Sequence, residues 1–191
     1  MILIINGAFG VGKTTVAGLI HRAVPGSLVY DPELTGWALK RLSRWIPMRG
    51  AGTDDFQDIE LWRKSTVAGA RLVRAVARGP VVVPMAFSRR DYFDEVVAGI
   101  SVLDPTVRVF CLRAGMPTIL GRLAMRGDDV SGGGNEWVVR NARACVAAHE
   151  DEHFGEPIDA EQRSAREVAQ EILDRLALPP AVPASDTFTR E

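Results

Sequence analysis

Lysine, cysteine and histidine are scarce in this chain: its 191 residues hold three lysines, Lys13, Lys40 and Lys64, with two cysteines and three histidines. No His/Cys group has zinc-ligand spacing, and two cysteines cannot build a disulfide framework, so neither a metal-stapled nor a disulfide-stapled module is expected. Cys111 falls in an apolar strand-like run and Cys145 in a helical pattern, so both read as small core residues in a reducing cytoplasm. A charge excess is also missing. The formal net charge of −1 leaves no basic footprint for nucleic acid. No apolar run approaches bilayer length, and no basic n-region precedes the first one, so neither secretion nor membrane insertion is expected. A chain of this length without staples suits a single α/β domain with a full core.

Glycine and one of the rare lysines stand together near the start. The strand-like run Ile2 to Asn6 passes into Gly7-Ala8-Phe9-Gly10-Val11-Gly12-Lys13-Thr14, the G-x-x-x-x-G-K-[ST] pattern of a phosphate-binding P-loop. A loop whose backbone N–H groups wrap an anion needs residues without a Cβ, and the helix that starts at Lys13 aims the positive end of its dipole at the phosphates. Gly7 to Thr15 are therefore the expected nucleotide cradle. Lys13 is expected at the β/γ-phosphates of ATP, and the Thr14 hydroxyl on Mg2+.

Beyond the P-loop, short β-rich runs alternate with longer helical patterns, which predicts a parallel sheet wound by crossover helices. Strands are expected at 2–6, 27–31, 80–84, 106–112 and 157–160. Helices are expected at 13–24, 33–45, 58–78, 89–101, 115–126, 135–149 and 164–177. Pro80 and Pro84 are expected to bracket the third strand. The domain is expected to span 1–177, followed by a disordered, proline-bearing tail at 178–191. Two segments look inserted for function: 32–78, which carries Trp37, Trp45 and Trp62, and the Gly-rich 127–135, which reads as a short lid.

Asp31 ends the second strand on the side of the P-loop. It is either the carboxylate that orients and deprotonates an acceptor hydroxyl or the cap of the next helix, roles that are compatible. The strand expected beside the P-loop strand ends Val83-Pro84-Met85, without the acidic residue of a Walker B motif. Asp31, through water, then becomes a candidate second contact of magnesium, and a motor or signalling NTPase is disfavoured. Arg122 and Arg126 precede the lid and Arg140 and Arg143 follow it. Closure would bring Arg126 and Arg143 onto the transferring group, where positive charge stabilises the transition state. Asp54 or Asp55 reads as a helix cap, and Arg63 as a possible acceptor anchor.

Taken in order, Asn6 to Thr14, Val29-Tyr-Asp-Pro-Glu33, Asp54-Asp-Phe-Gln57, Leu61-Trp-Arg63 and Val83-Pro-Met85 resemble the tunicamycin-resistance protein family over most of the chain, through about residue 175. The resemblance implies a nucleoside-monophosphate-kinase-like P-loop fold of strand order 2-3-1-4-5. It also implies an ATP-dependent phosphotransferase acting on, or binding, tunicamycin or a related nucleoside antibiotic. Similarity to antibiotic kinases supports Asp31 as the acceptor-side base. The loop at Asp159 is expected near the adenine, Arg122 at the nucleotide, and Trp37, Asp55, Phe56, Trp62, Arg63 and Met85 at the acceptor. ATP-dependent sequestration of the drug and a housekeeping nucleotide or metabolite kinase are the alternatives. Some members are described as membrane-associated through a C-terminal segment; the tail here is short and not cationic, so at most peripheral association is expected. Nothing in the pattern sets an oligomeric state.

Overall fold

A strand that is apolar without a break needs cover on both faces, and β1 (Ile2–Gly7) is buried along its whole length. The computed structural model describes residues 1–33, 36, 41, 55–128 and 136–178. β1 lies at the centre of a five-stranded parallel sheet of order β2-β3-β1-β4-β5, with β2 (Leu28–Val29), β3 (Val81–Met85), β4 (Arg108–Arg113) and β5 (Glu156–Asp159). The helices are α1 (Lys13–Ala23), α2 (Glu60–Val76), α3 (Arg90–Leu103), α4 (Met116–Met125), α5 (Glu136–Ala148) and α6 (Ala165–Arg175). This is the three-layer α/β P-loop fold. The expected strand order is borne out.

The period of two along β1 divides the core. Leu3 and Ile5 pack with Phe110 and Leu112 against α1 (Val16, Ile20) and α6 (Val168, Ile172). Ile2 and Ile4 pack with Val81 and Val83 against α2 (Trp62, Ala70) and α3 (Phe93, Val96). At about 1.5–3 kcal/mol for each large apolar side chain fully buried, these two layers hold the sheet rigid beneath the P-loop. A third cluster, Ala8, Ile119, Leu123, Ala142 and Cys145, seats α4 and α5 over the loop itself. Burial pushes the Cys111 thiol up to about 11 and the Cys145 thiol up to about 12, so both remain protonated core residues.

Pro84 corrects one expectation: it lies inside β3, opposite Ile5, and does not bracket it. The reason is the direction of its missing N–H. Val81 donates to Met1 on the β1 side, whereas Val82 accepts from Tyr30 on the β2 side, so the nitrogen of Pro84 faces β2. The β2 pairing stops at Val29, so Pro84 stands where that ladder ends. Pro32 and Glu33 are helical, whereas most of the helix expected at 33–45, with Trp37 and Trp45, lies outside the described residues, as do Asp54, lid residues 129–135 and the tail from 179. The segment expected as a lid is preceded by a helix stop. Gly127, at φ 91°, donates to the Ala124 carbonyl and Asp128 to that of Leu123, the Schellman closure of α4.

A buried polar node joins the end of β1 to the exit of β3 and the entry of β5. The Asn6 Oδ1 accepts from the Phe87 N–H at 3.0 Å, and its Nδ2 donates to the Phe154 carbonyl at 3.4 Å. His149 Nε2 lies 2.7 Å from the Phe87 carbonyl, which requires the tautomer with its proton on Nε2. Burial pushes the His149 imidazole down to about 4, despite that hydrogen bond. The unfolded chain takes up a proton near 6.5 and the folded one only near 4, so folded stability is complete above 6.5 and falls as the pH drops between these values. Asp104 titrates elsewhere: burial raises its carboxyl, but hydrogen bonds from Thr106 and Arg74 outweigh that and hold it well below the usual range, so its share is lost at lower pH. We expect chemical denaturation to show a stability loss of up to about 3 kcal/mol between pH 6.5 and 4, and His149→Gln, which keeps a donor, to flatten it. An unchanged pH dependence in the variant would assign the loss to other groups.

Candidate active site

The P-loop leaves β1 at Gly7 and delivers Gly12 to the N-terminus of α1 in a left-handed conformation, φ 111° and ψ 10°, with no side chain capping the helix. A Cβ built on Gly12 would meet no atom within 4 Å, so the space in front of the helix is open. Gly10, at φ 82°, sits instead against α4, where a Cβ would come within 2.8 Å of Leu123. One glycine keeps the cradle open; the other lets it pack. The crevice in front, about 540 Å³, is lined among others by Gly12, Thr14, Thr15, Glu33, Arg122 and Arg126. Thr14 and Thr15 are exposed at its floor.

Lys13 is buried, with Nζ 3.1 Å from the Ala8 carbonyl and 5.2 Å from the centre of the Phe9 ring. Phe9 in turn meets the Trp137 ring edge-on at 5.2 Å. Arg122 reaches across the crevice from the last turn of α4. Its guanidinium donates to the carbonyls of Val11 at 2.9 Å, Ala160 at 2.7 Å and Arg163 at 3.2 Å, tying the P-loop to the exit of β5. Arg126 is 61% exposed and paired with Asp128 at 2.6 Å, an arrangement that leaves it free to exchange partners.

On the far side stand three carboxylates, Asp31, Glu33 and Asp55. Burial pushes the Glu33 carboxyl up; Lys13 pulls it back, while Asp31 and Asp55 push it further. Asp31 Oδ1 accepts from the Glu33 N–H at 3.0 Å and Asp55 Oδ1 from the Gln57 N–H at 2.9 Å, so each builds a local turn. Glu33 is the residue that sequence reasoning passed over as one letter in a run. Its signal was its place two residues after a strand-terminal Asp.

Other expected contacts are placed elsewhere. Trp62 is 2% exposed, packs 5.8 Å from the Phe87 ring and donates its indole N–H to the Pro32 carbonyl at 2.8 Å, a core residue that fixes the exit of β2. Arg63 is buried between Glu95, the Gln57 carbonyl at 2.6 Å and the face of Tyr92 at 4.1 Å. Met85 is buried at the end of β3, opposite Asn6. These side chains do not line the crevice over the P-loop. Phe56 opens the 3-10 turn Phe56–Asp58. Asp159, expected near the adenine, lines a second cavity of about 400 Å³ with Ala8, Leu112 and His149, whereas Ala160, Arg163 and Ser164 line the crevice over the P-loop. Arg143 is exposed on α5 and does not line the crevice.

The tunicamycin resistance protein of Deinococcus radiodurans shares this fold over 95% of this chain and 98% of its own, at TM-score 0.76 and 28% identity. This chain has the fold of a P-loop kinase. A sugar kinase from Janibacter sp. superposes at TM-score 0.64 with 21% identity, covering 96% of this chain and 98% of its own. A gluconokinase from Sinorhizobium meliloti does so at 0.62 with 20% identity, covering 92% and 90%. No family model and no curated protein matches the chain. The resemblance read from the motifs is thus borne out in three dimensions. Among the described residues, no helix is long and apolar enough to cross a membrane.

The two arginines differ in what they hold. Arg122→Ala removes charged hydrogen bonds to several carbonyls and is expected to lower stability by about 1–3 kcal/mol and nucleotide affinity with it. Arg126→Ala breaks only an exposed pair, worth about 0–1 kcal/mol, so its melting temperature should stay near that of the wild type while turnover falls. Thermal melts beside titration with an ATP analogue check both; a strongly destabilised Arg126→Ala would make that arginine structural.

Proposed function

We propose that this protein transfers the γ-phosphoryl group of ATP to a hydroxyl of a small molecule, with tunicamycin or a related nucleoside antibiotic as the acceptor. The observation that carries this reading is an open P-loop cradle whose crevice is also lined by the Glu33 carboxylate. The fold, shared nearly end to end with a tunicamycin resistance protein, supports the choice of acceptor.

The residues present fit a nucleoside triphosphate. The N–H groups from Gly10 to Thr14 and the open space at Gly12 accept an anion, and Lys13 can exchange the Ala8 carbonyl for the β/γ-phosphates. Magnesium, brought in with those phosphates and met by the Thr14 hydroxyl and, through water, by Asp31, would supply charge neutralisation at the transferring group. Arg122 keeps the P-loop and the β5 exit at a fixed spacing around the nucleotide. Arg126 stands at the crevice to meet charge that develops on the phosphoryl oxygens, a contribution that preorganised donors make without reorganisation. The acceptor enters at the exit of β2, where the turn built by Asp31 and pinned by Trp62 presents carboxylates to it.

Incubation of the protein with tunicamycin, ATP and magnesium, read by mass spectrometry, is expected to show a phosphate increment on the drug. Unmodified drug with retained affinity would make the protein a sequestering one, and transfer to a nucleoside monophosphate in preference to the drug would make it a nucleotide kinase. Lys13→Ala is expected to lose roughly ten- to a hundred-fold in ATP affinity and all detectable transfer. Undiminished affinity and turnover in that variant would refute the P-loop assignment.

A further inference from the structure

Among the described residues, one carboxylate oxygen at the mouth of the crevice has no partner. Glu33 retains some exposure as a residue, but its Oε1 is sealed from solvent and meets no hydrogen-bond donor. A buried acceptor left in that state costs roughly 1–3 kcal/mol, more when charged, and a native structure tolerates it chiefly where something else supplies the donor. Glu33 is also the carboxylate of the three that lines the crevice, alongside Lys13, Thr14 and Arg126. Asp31 and Asp55 spend an oxygen each on holding turns. The Glu33 N–H is fixed by Asp31 and the preceding Pro32 carbonyl by the Trp62 indole, so the side chain starts from a backbone held on both sides.

We propose that Glu33 receives the attacking hydroxyl of the acceptor, which donates its hydrogen bond to Oε1, and that the acceptor is uncharged at that end: an alcohol, polyol or sugar hydroxyl. The proposal rests on the phosphotransfer reading above. As the bond from the hydroxyl oxygen to the γ-phosphorus forms, the bond from that phosphorus to the β,γ-bridging oxygen breaks and ADP leaves. The hydroxyl proton passes to Glu33 and from there to solvent. Lys13 and Arg126 line the same crevice, while the charges of Asp31 and Asp55 act on Glu33. An acceptor with a phosphate or carboxylate next to its hydroxyl would meet three like charges there, a repulsion that disfavours nucleoside monophosphates and acids.

Glu33→Gln keeps the size of the side chain and removes the charge. With tunicamycin and ATP as probes, the variant is expected to keep the wild-type melting temperature or exceed it, to bind an ATP analogue within about twofold of wild type, and to transfer phosphate roughly a hundred-fold more slowly or worse. Glu33→Asp, one methylene shorter, should recover part of the rate. Asp31→Asn, measured beside them, should lose less than Glu33→Gln. Full transfer by a folded Glu33→Gln, or a larger loss in Asp31→Asn, overturns the proposal. If wild-type protein binds tunicamycin without phosphorylating it, the transfer reading fails, and calorimetry decides the contact: a tenfold weaker drug affinity in Glu33→Gln supports it, an unchanged one overturns it. A wild type that neither binds nor phosphorylates tunicamycin, nor any of a panel of neutral sugars and polyols, overturns both.

Discussion

The first turn of α1 presents backbone N–H groups that its N-cap, Gly12, does not cap with a side chain, and the described residues leave open space in front of that glycine. Two conditions must hold for that. The strand that feeds the loop has to be immobile, and β1 is, because both of its faces are covered and Asn6 at its end is bonded into the exits of β3 and the entry of β5. The loop must also turn through backbone that a side chain would strain or block, which Gly10 and Gly12 allow. The buried His149 beneath the loop belongs to the same arrangement: a neutral imidazole donates to the Phe87 carbonyl without adding a second positive charge below Lys13.

What the sequence carried plainly was whatever follows from local pattern. Unbroken apolar runs gave β1 and β3, the glycine spacing gave the cradle, and the alternation of runs gave a parallel sheet whose order the resemblance supplied. Trp62 shows where pattern stops. An aromatic on a helical stripe satisfies the same spacing whether it faces a core or a cleft, and only the packing of α2 under Phe87, with an indole N–H aimed at Pro32, decides for the core. Arg63 and Met85 were ambiguous for the same reason. Pro84 was misjudged because a rule about interior strands ignores which neighbour a given N–H faces and how far that neighbour extends. Glu33 was invisible because burial of one carboxylate oxygen is a property of the assembled crevice and of no segment.

Arg122 and Lys13 show two ways in which a cation can serve an anion site. Arg122 is held by carbonyls of the P-loop and of the β5 exit, so it ties those segments together. Lys13 holds a single carbonyl by one of its three donors and can give it up. The planar fork of the arginine suits fixed multipoint bonding, whereas the lysine acts as a movable point charge. Two residues that sequence reading placed together at the nucleotide thus differ in how firmly the protein itself holds them.

Carboxylates also stand beside the cradle expected to hold polyphosphate. Asp31, Glu33 and Asp55 would oppose a highly charged ligand if they shared its surface, and the repulsion between unit charges a few ångströms apart reaches several kcal/mol in a partly desolvated crevice. Their Oδ1 bonds to backbone N–H groups neutralise part of the charge on Asp31 and Asp55, and burial beside Lys13 limits the field of Glu33. What remains is a gradient from cationic at the P-loop and Arg126 to anionic at the exit of β2, over the width of one crevice. In the proposed transfer, a phosphoryl group in transit would lie where that gradient changes sign, its oxygens toward the cations and the nucleophile toward the carboxylates. Such a field orients the two reactants in opposite senses before either moves, and it exists in the free protein because turns, a buried indole and a carbonyl-bound arginine hold its sources in place.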